Sequence, residues 1–256
     1  MANIIHKTKS AFSLGLTMAR IGFKLQNEDS WFGPLWYLLS PVLTFFLMLG
    51  IFQDRLGNSI PNYPAYLLLG IILFSYFQKI ADSSVTSIRG SAGIIKSINF
   101  PKESLILSNL FSILISHILE IIILILFFIF FGVEIKMLIF YPTILLFLSI
   151  FAYGAGLILA SVAVYFVDLG IVWGFLVRLI WLATPIFYSI EGQTRLGIIN
   201  LFNPMYYFIS VARDIIIYAK VPELWLIFGM IGYSLLFFVT GLFIFNKLKL
   251  RFAELI

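Results

Sequence analysis

The sequence predicts an all-α integral membrane protein, and three observations carry that class. Seventeen basic and twelve acidic side chains make up only 11% of the 256 residues, whereas a soluble domain carries about 25%. Those charges cluster. None occurs from Ser30 to Gln53, from Leu56 to Gln78, from Met137 to Val167 or from Leu224 to Asn246, and each run can hold the roughly 20 apolar residues of a spanning helix. Third, the apolar residues, 61% of the chain, form continuous runs without the alternation of barrel strands, so helices are the means of pairing backbone groups in lipid.

Six spans are expected, at roughly 33–53, 64–83, 105–131, 138–166, 169–189 and 224–246. Pro41 falls inside the first and is expected to kink it. The Lys/Arg distribution orients them. Lys7, Lys9, Arg20, Lys24, Lys79, Arg89, Lys96, Lys102, Lys247, Lys249 and Arg251 fall on one side, against Arg55, Lys136, Arg195, Arg213 and Lys220 on the other. The positive-inside rule therefore places both termini and the 79–104 loop in the cytoplasm. No repeat or linker divides the chain, so one membrane domain over 1–256 is expected. The N-terminus lacks the compact apolar core and small-residue cleavage site of a removable signal peptide.

Three segments are expected to do something other than span. About 8–29, Ser13, Thr17, Arg20, Lys24 and Asn27 recur at helical spacing beside Phe12, Leu16, Ala19 and Phe23. That is the pattern of a helix lying in the membrane interface. The loop about 79–104 has an apolar side of Ile88, Ile94, Ile95 and Ile98, and Pro101 forces a short helix to end before it. A short amphipathic helix there would suit a soluble partner. The stretch 189–222 is too polar to span and too apolar for a free loop, and Asn203-Pro204 divides it into two short helices. A re-entrant pair and a surface-lying loop both fit.

Chemistry is sparse. The string Gly90-Ser-Ala-Gly93-Ile-Ile-Lys96-Ser97 lacks the glycine before lysine that a P-loop needs, so ATP is not expected to bind in that way. With no Cys, two His and no carboxylate cluster, neither a metal nor a hydrolytic site is supported. His117 and Glu120 in the third span and Arg178 in the fifth lie at membrane depth, where a charge needs a partner or a wet cavity. A Glu120–Arg178 ion pair locking two helices is expected, with proton coupling as the alternative. Trp36, Tyr37, Phe74, Tyr76, Trp173, Trp181 and Tyr188 are candidate channel aromatics, or interface anchors of the ordinary kind.

Short motifs run through the chain in order: Leu68-Leu69-Gly70, Phe74-Ser-Tyr76-Phe77, Ser83-Ser84, Ile94-Ile95-Lys96 and Phe100-Pro101-Lys102-Glu103. Thr184-Pro185-Ile186-Phe187-Tyr188, Phe202-Asn203-Pro204, Phe208 with Arg213, and Lys247-x-Lys249-x-Arg251-Phe252-Ala253 follow. Their order resembles the permeases of type-2 ABC exporters, in the branch that moves O-antigen, capsular polysaccharide and teichoic acid. One departure stands at Val167-Asp168, where that family usually has Arg before the Asp. The resemblance implies an interface helix, six transmembrane helices and two short periplasmic gate helices before the last span. It places the ATPase-coupling residues at Arg89, Lys96, Phe100, Pro101, Lys102 and Glu103, and the gate at Tyr188, Asn203, Pro204, Tyr206 and Arg213. It further implies a homodimer joined by two copies of a separate ATPase subunit, which would hold the ATP and magnesium, this chain binding no cofactor itself. The substrate would be a lipid-linked polysaccharide crossing the bacterial inner membrane, with membrane lipids around it and no nucleic acid involved. A drug or lipid exporter, or a membrane enzyme acting on lipid-linked sugars, would be the alternatives.

Overall fold

A computed structural model describes residues 13–21, 35–57, 59–98, 100–190 and 194–256, and among them the regular structure is helical without a strand. A short helix α1 (13–21) precedes α2 (Leu35–Leu56), α3 (Tyr63–Gly90), α4 (Ala92–Ser97) and α5 (Glu103–Phe130). A 3-10 turn (Lys136–Phe140) leads into α6 (Tyr141–Tyr165), followed by α7 (Leu169–Ala183), α8 (Thr194–Leu201), α9 (Pro204–Ile216), α10 (Leu224–Leu248) and α11 (Phe252–Leu255). Prolines stand in the first turns of α3, α6 and α9, where a missing N–H costs nothing and the fixed φ suits the helix. Pro41 lies within α2, which runs on through it.

Among the described residues, five helices are long and apolar enough to cross a membrane; they lie in α2, α3, α5, α6 with its leading turn, and α10 to the C-terminus. The expected fifth span, 169–189, is different. Helix α7 has only 15 residues, about 22 Å of rise against roughly 30 Å of hydrocarbon. It stops because Thr184 precedes Pro185 and is pushed into an extended conformation (φ −76°, ψ 133°). The rest of the expected span, 184–189, is non-helical, as is residue 190 after it. The loop expected at 79–104 is shorter than the sequence suggested, since α3 continues to Gly90 and only 91–102 leave it.

Helix α3 is the central element. Eighteen of its 28 residues are buried, and it packs against α2, α5, α6, α7 and α9. The most extensive pairing is between α6 and α10. There Gly154 and Gly241 let two backbones touch, and a Cβ on Gly154 would collide with the Phe237 carbonyl. Small residues at the crossing of two helices are the membrane solution to close packing. Helix α1 uses the same device: Gly15 and Ala19 are its buried positions, and Ser112 Oγ donates to Ala19 O at 3.3 Å. Its Ser13, Thr17 and Arg20 are exposed as the polar stripe required. Its small face thus lies on α5, while Phe12, Phe23, Lys24 and Asn27 fall outside the described residues.

Gly154→Val should force α6 and α10 apart at a cost of about 1–3 kcal/mol, lowering the melting temperature of the purified protein in detergent by several degrees. Gly50→Ala, at a position with open space around it, should not lower it.

Candidate functional site

The two ends of α3 carry the two candidate sites. At its N-terminal end the chain must solve a problem created by Thr184-Pro185: residues 184–190 are non-helical, so their carbonyls have no helix to bond within. Each from 184 to 188 is answered individually. Arg213 of α9 donates Nη1 to Pro185 O at 2.6 Å and Nη2 to Ile186 O at 2.8 Å. Tyr63 donates its hydroxyl to Phe187 O at 2.9 Å, and Tyr66 donates to Tyr188 O at 2.8 Å. Thr184 O accepts from Ile186 N. The Tyr188 hydroxyl turns back to the end of α7, donating to Ala183 O at 2.7 Å.

Arg213 is buried (3% exposed) and has no carboxylate within ion-pair distance among the described residues. Its guanidinium is held by carbonyls alone, including Tyr66 O at 3.0 Å, and lies 3.2 Å over the Tyr66 ring. Hydrogen bonds to a charged group, about 1.5–3 kcal/mol each, and the ring contact offset its removal from water. Gly70, one turn along α3, makes the room, because a Cβ there would stand 2.7 Å from Arg213 Nη2. Asn203 completes the arrangement. Its Oδ1 accepts from Met205 N as the cap of α9, while its Nδ2 donates to Thr184 Oγ1 at 2.8 Å.

Thr184-Pro-Ile-Phe-Tyr188, Asn203-Pro204, Arg213 and Gly70 were separate motifs along the chain; folded, they form one clamp. Tyr188, Asn203 and Arg213 of the expected gate meet here, with Pro204 opening α9. Tyr206 instead lines an adjoining cavity with Asp214, Glu223 and Trp225, which Tyr66, Pro185 and Arg213 of the clamp also border. Burial, and then Glu223 and Asp214 nearby against a bond with Ser210, push its hydroxyl above the ordinary tyrosine value. Sequence reasoning missed Tyr63 and Tyr66. Their i, i+3 spacing on the helix that carries Gly70 was the available sign.

At the other end of α3 stands α4. Arg89 does not reach outward but bridges to α6, with Nε to Ala163 O and Nη2 to Val164 O, both at 2.9 Å. Lys102 donates to Lys249 O at 2.9 Å, Lys249 pairs with Glu103, and the Lys102 ammonium lies over the Phe252 ring. Burial, and then Lys249 beside it, lower the Lys102 pKa against the pull of Glu103. Phe100 is half-buried on the core, and the Pro101 carbonyl accepts from Ser104 N and Oγ. Of the six expected coupling residues, Lys96 alone is fully exposed. Beside it Ile94 (42%) and Ile98 (61%) are also exposed, whereas Ile95 is buried beneath.

The expected Glu120–Arg178 pair is not formed. Arg178 is exposed on α7, and Glu120 pairs with Lys79 of α3 and, through Oε2 at 2.6 Å, with His117 Nδ1. His117 Nε2 is hydrogen-bonded to the Tyr141 hydroxyl at 2.8 Å. The reason lies in packing: α3 and α6 flank α5, and α7 does not. Lys79 therefore belongs to a helix and not to the loop in which its charge had placed it. The expected channel aromatics also divide. Phe74 (1%), Tyr76 (0%) and Trp173 (9%) are buried within the chain. Tyr76 shares a hydrogen bond with Ser149, and Trp173 donates to Asp82. Trp181 is half-buried against Phe187, while the side chains of Trp36 and Tyr37 fall outside the described residues.

Residues 14–217 match the family described as ABC-2 type transporter. "O-antigen export system permease protein RfbA" of Klebsiella pneumoniae is 28% identical over 257 residues, covering 96% of this chain and 95% of its own length. A second protein of that name and organism is 28% identical over 249 residues, with the same coverage. One of that name from Myxococcus xanthus is 21% identical over 266 residues, covering 99% of both chains.

Arg213→Met should leave the Pro185 and Ile186 carbonyls without their donor, at about 1–3 kcal/mol for each buried group. The melting temperature should fall, with amide exchange accelerated over 184–190 more than elsewhere. At the buried node, Glu120→Leu alone should destabilise more than Glu120→Leu combined with Lys79→Met, because the single change takes the Glu120 carboxylate away from the Lys79 ammonium. Melting curves of the three proteins would read the difference.

Proposed function

The chain belongs to the ABC-2 type transporter family, and from that premise we propose that it is the permease subunit of an exporter that passes an O-antigen-like, lipid-linked polysaccharide across the cytoplasmic membrane. The observation that carries the reading is the likeness over nearly the whole length to three permeases named for O-antigen export. The proposed assembly has two copies of this chain and two of a separate ATPase subunit that holds ATP and magnesium. The Lys/Arg asymmetry supports cytoplasmic termini, with α4 inside and the clamp outside.

In this reading the exposed face of α4, Ile94, Lys96 and Ile98, seats on the ATPase. Force applied there enters a rigid path. Arg89 ties the end of α3 to α6, Lys102 and Glu103 tie the start of α5 to the C-terminal turn, and α3 runs 28 residues to the clamp. Tilting α3 carries Tyr63, Tyr66 and Gly70 with it, and so moves the 184–190 segment that they and Arg213 hold. Helices α8 and α9 hang on that segment through Asn203 and Arg213, which makes them the moving outer gate, dipping into the outer leaflet as a re-entrant pair. The glycan crosses between the two copies, its lipid staying in the membrane. The chain needs no nucleophile or metal for this work; its chemistry is positional.

A lipid or drug exporter of the same topology is the second reading. The observation in its favour is an apolar cavity of about 180 Å³ among Phe77, Phe151, Trp173, Met205 and Phe237. Substrate assays on the reconstituted transporter separate the two: nucleotide-dependent movement of a polyprenyl-linked glycan supports the first, and movement of phospholipid or dye without glycan supports the second. Ile94→Asp with Ile98→Asp should lower association with the partner ATPase at least tenfold while leaving the melting temperature of this chain unchanged. Unaltered association would remove α4 from the coupling interface.

A further inference from the structure

Next to the clamp, at the same end of the bundle, a polar cavity of about 270 Å³ opens between the C-terminal half of α9, the turn 217–223 and the start of α10. It is built within one copy of the chain. Its lining combines aromatic rings with ionised and polar groups. Aromatic rings form one wall. Trp225 lies 6.2 Å from Tyr206 at an interplanar angle of 31° and is propped edge-on by Tyr207 at 5.7 Å. Asp214, Glu223, Lys220 and Ser210 share the lining with them, and Tyr66, Pro185 and Arg213 of the clamp border it.

The polar groups are held in place. Lys220 Nζ bonds Asp214 Oδ1 at 2.9 Å, and Lys220 N bonds the Asp214 carbonyl at 2.9 Å. Ala219, in the left-handed region at φ 49°, closes that turn. Trp225 Nε1 donates to Glu223 Oε2. Each carboxylate thus has one oxygen engaged, and the second, Asp214 Oδ2 and Glu223 Oε1, has no partner among the described residues.

We infer that this cavity binds one pyranose unit of the exported glycan. The inference rests on the reading of the chain as a glycan permease, and names a foothold that this reading does not require. A pyranose offers an apolar C–H face and a rim of hydroxyl donors, and the cavity offers a flat indole for the face and two oriented acceptor oxygens for the rim. Hydrogen bonds from hydroxyls to carboxylates are charge-assisted and strong. The volume lies just below the roughly 300–1,000 Å³ of drug-sized sites, which suits one ring and its substituents. A phosphate or lipid headgroup is disfavoured because both cations of the lining are already engaged, the Lys220 ammonium by Asp214 and the Arg213 guanidinium by backbone carbonyls. A hydrocarbon chain is disfavoured because it would leave both carboxylates without hydrogen-bond donors. A sugar held here would sit beside the segment gripped by Arg213, where outward release would be checked once per residue of polymer.

The test uses the full chain in nanodiscs and saturation-transfer NMR with the methyl pyranosides of glucose, galactose, mannose, rhamnose and N-acetylglucosamine as probes. At least one should receive magnetisation at its ring protons, with binding weakened at least tenfold in Trp225→Ala and in Asp214→Asn. Melting curves and ATPase association, measured on the same samples, should be unchanged in Asp214→Asn, which keeps size and shape if Trp225→Ala folds poorly. No transfer to any glycoside, or transfer unaffected by both substitutions, overturns the inference, as does selective binding of inorganic phosphate at this site. If wild-type protein exports glycan and binds its ATPase yet binds no glycoside, the foothold falls and the permease reading stands. If it moves lipid and no glycan, the permease reading falls first.

Discussion

The buried guanidinium of Arg213 is the interaction on which the half of this protein around the start of α3 depends. A chain in lipid cannot leave backbone carbonyls unpaired, and at Thr184-Pro185 it leaves the helix that would have paired them. One planar fork of donors answers two of those carbonyls and a third from α3. Two tyrosines from the same turn of α3 answer the next two. Lysine, a point charge with three donors on a flexible stem, could not reproduce that geometry. Because the donors come from α3 and α9 and the acceptors from the segment after α7, three elements move as one at this point. Gly70 and Asn203 follow from the same constraint, the first by leaving space and the second by fastening Thr184.

Helix α3 gives that constraint its reach. It is buried along most of its length and extends 28 residues, about 42 Å. One end carries the clamp and the other carries α4. Its interior polar contacts, Lys79 to Glu120 and Tyr76 to Ser149, bind it to α5 and α6. The exposed faces of α2 and α10, by contrast, carry large apolar side chains such as Leu43, Phe46, Phe228 and Phe243. Those surfaces are of the kind that lipid covers.

Local signals were read with success where the physics is local. Charge-free runs located the long helices, Asn203-Pro204 located the break between α8 and α9, and Pro101 set the end of the α4 region. The misreadings share one cause. Glu120 was matched to Arg178 as an available opposite charge, but partner choice depends on which helices touch, and α5 lies against α3 and α6. Phe74, Tyr76 and Trp173 look like pore aromatics in sequence, since a ring carries the same letter whether it faces a channel or a core. Lys79 was counted in a loop because a cation usually ends a span; here a buried carboxylate receives it.

By itself, the sequence determined that this is a multi-pass helical membrane protein, where its helices break, and which short motifs resemble a polysaccharide permease. Those properties follow from composition and from steric rules that act within a few residues. Only the tertiary structure decided that Gly70, the 184–188 carbonyls, Asn203 and Arg213 are one device, and that Tyr63 and Tyr66 complete it. Tyr66 and Tyr188 are 122 residues apart along the chain and 2.8 Å apart across their hydrogen bond. No periodicity encodes that meeting: it exists because the bundle packs the start of α3 against the end of α7, and because carbonyls buried there have nowhere else to bond.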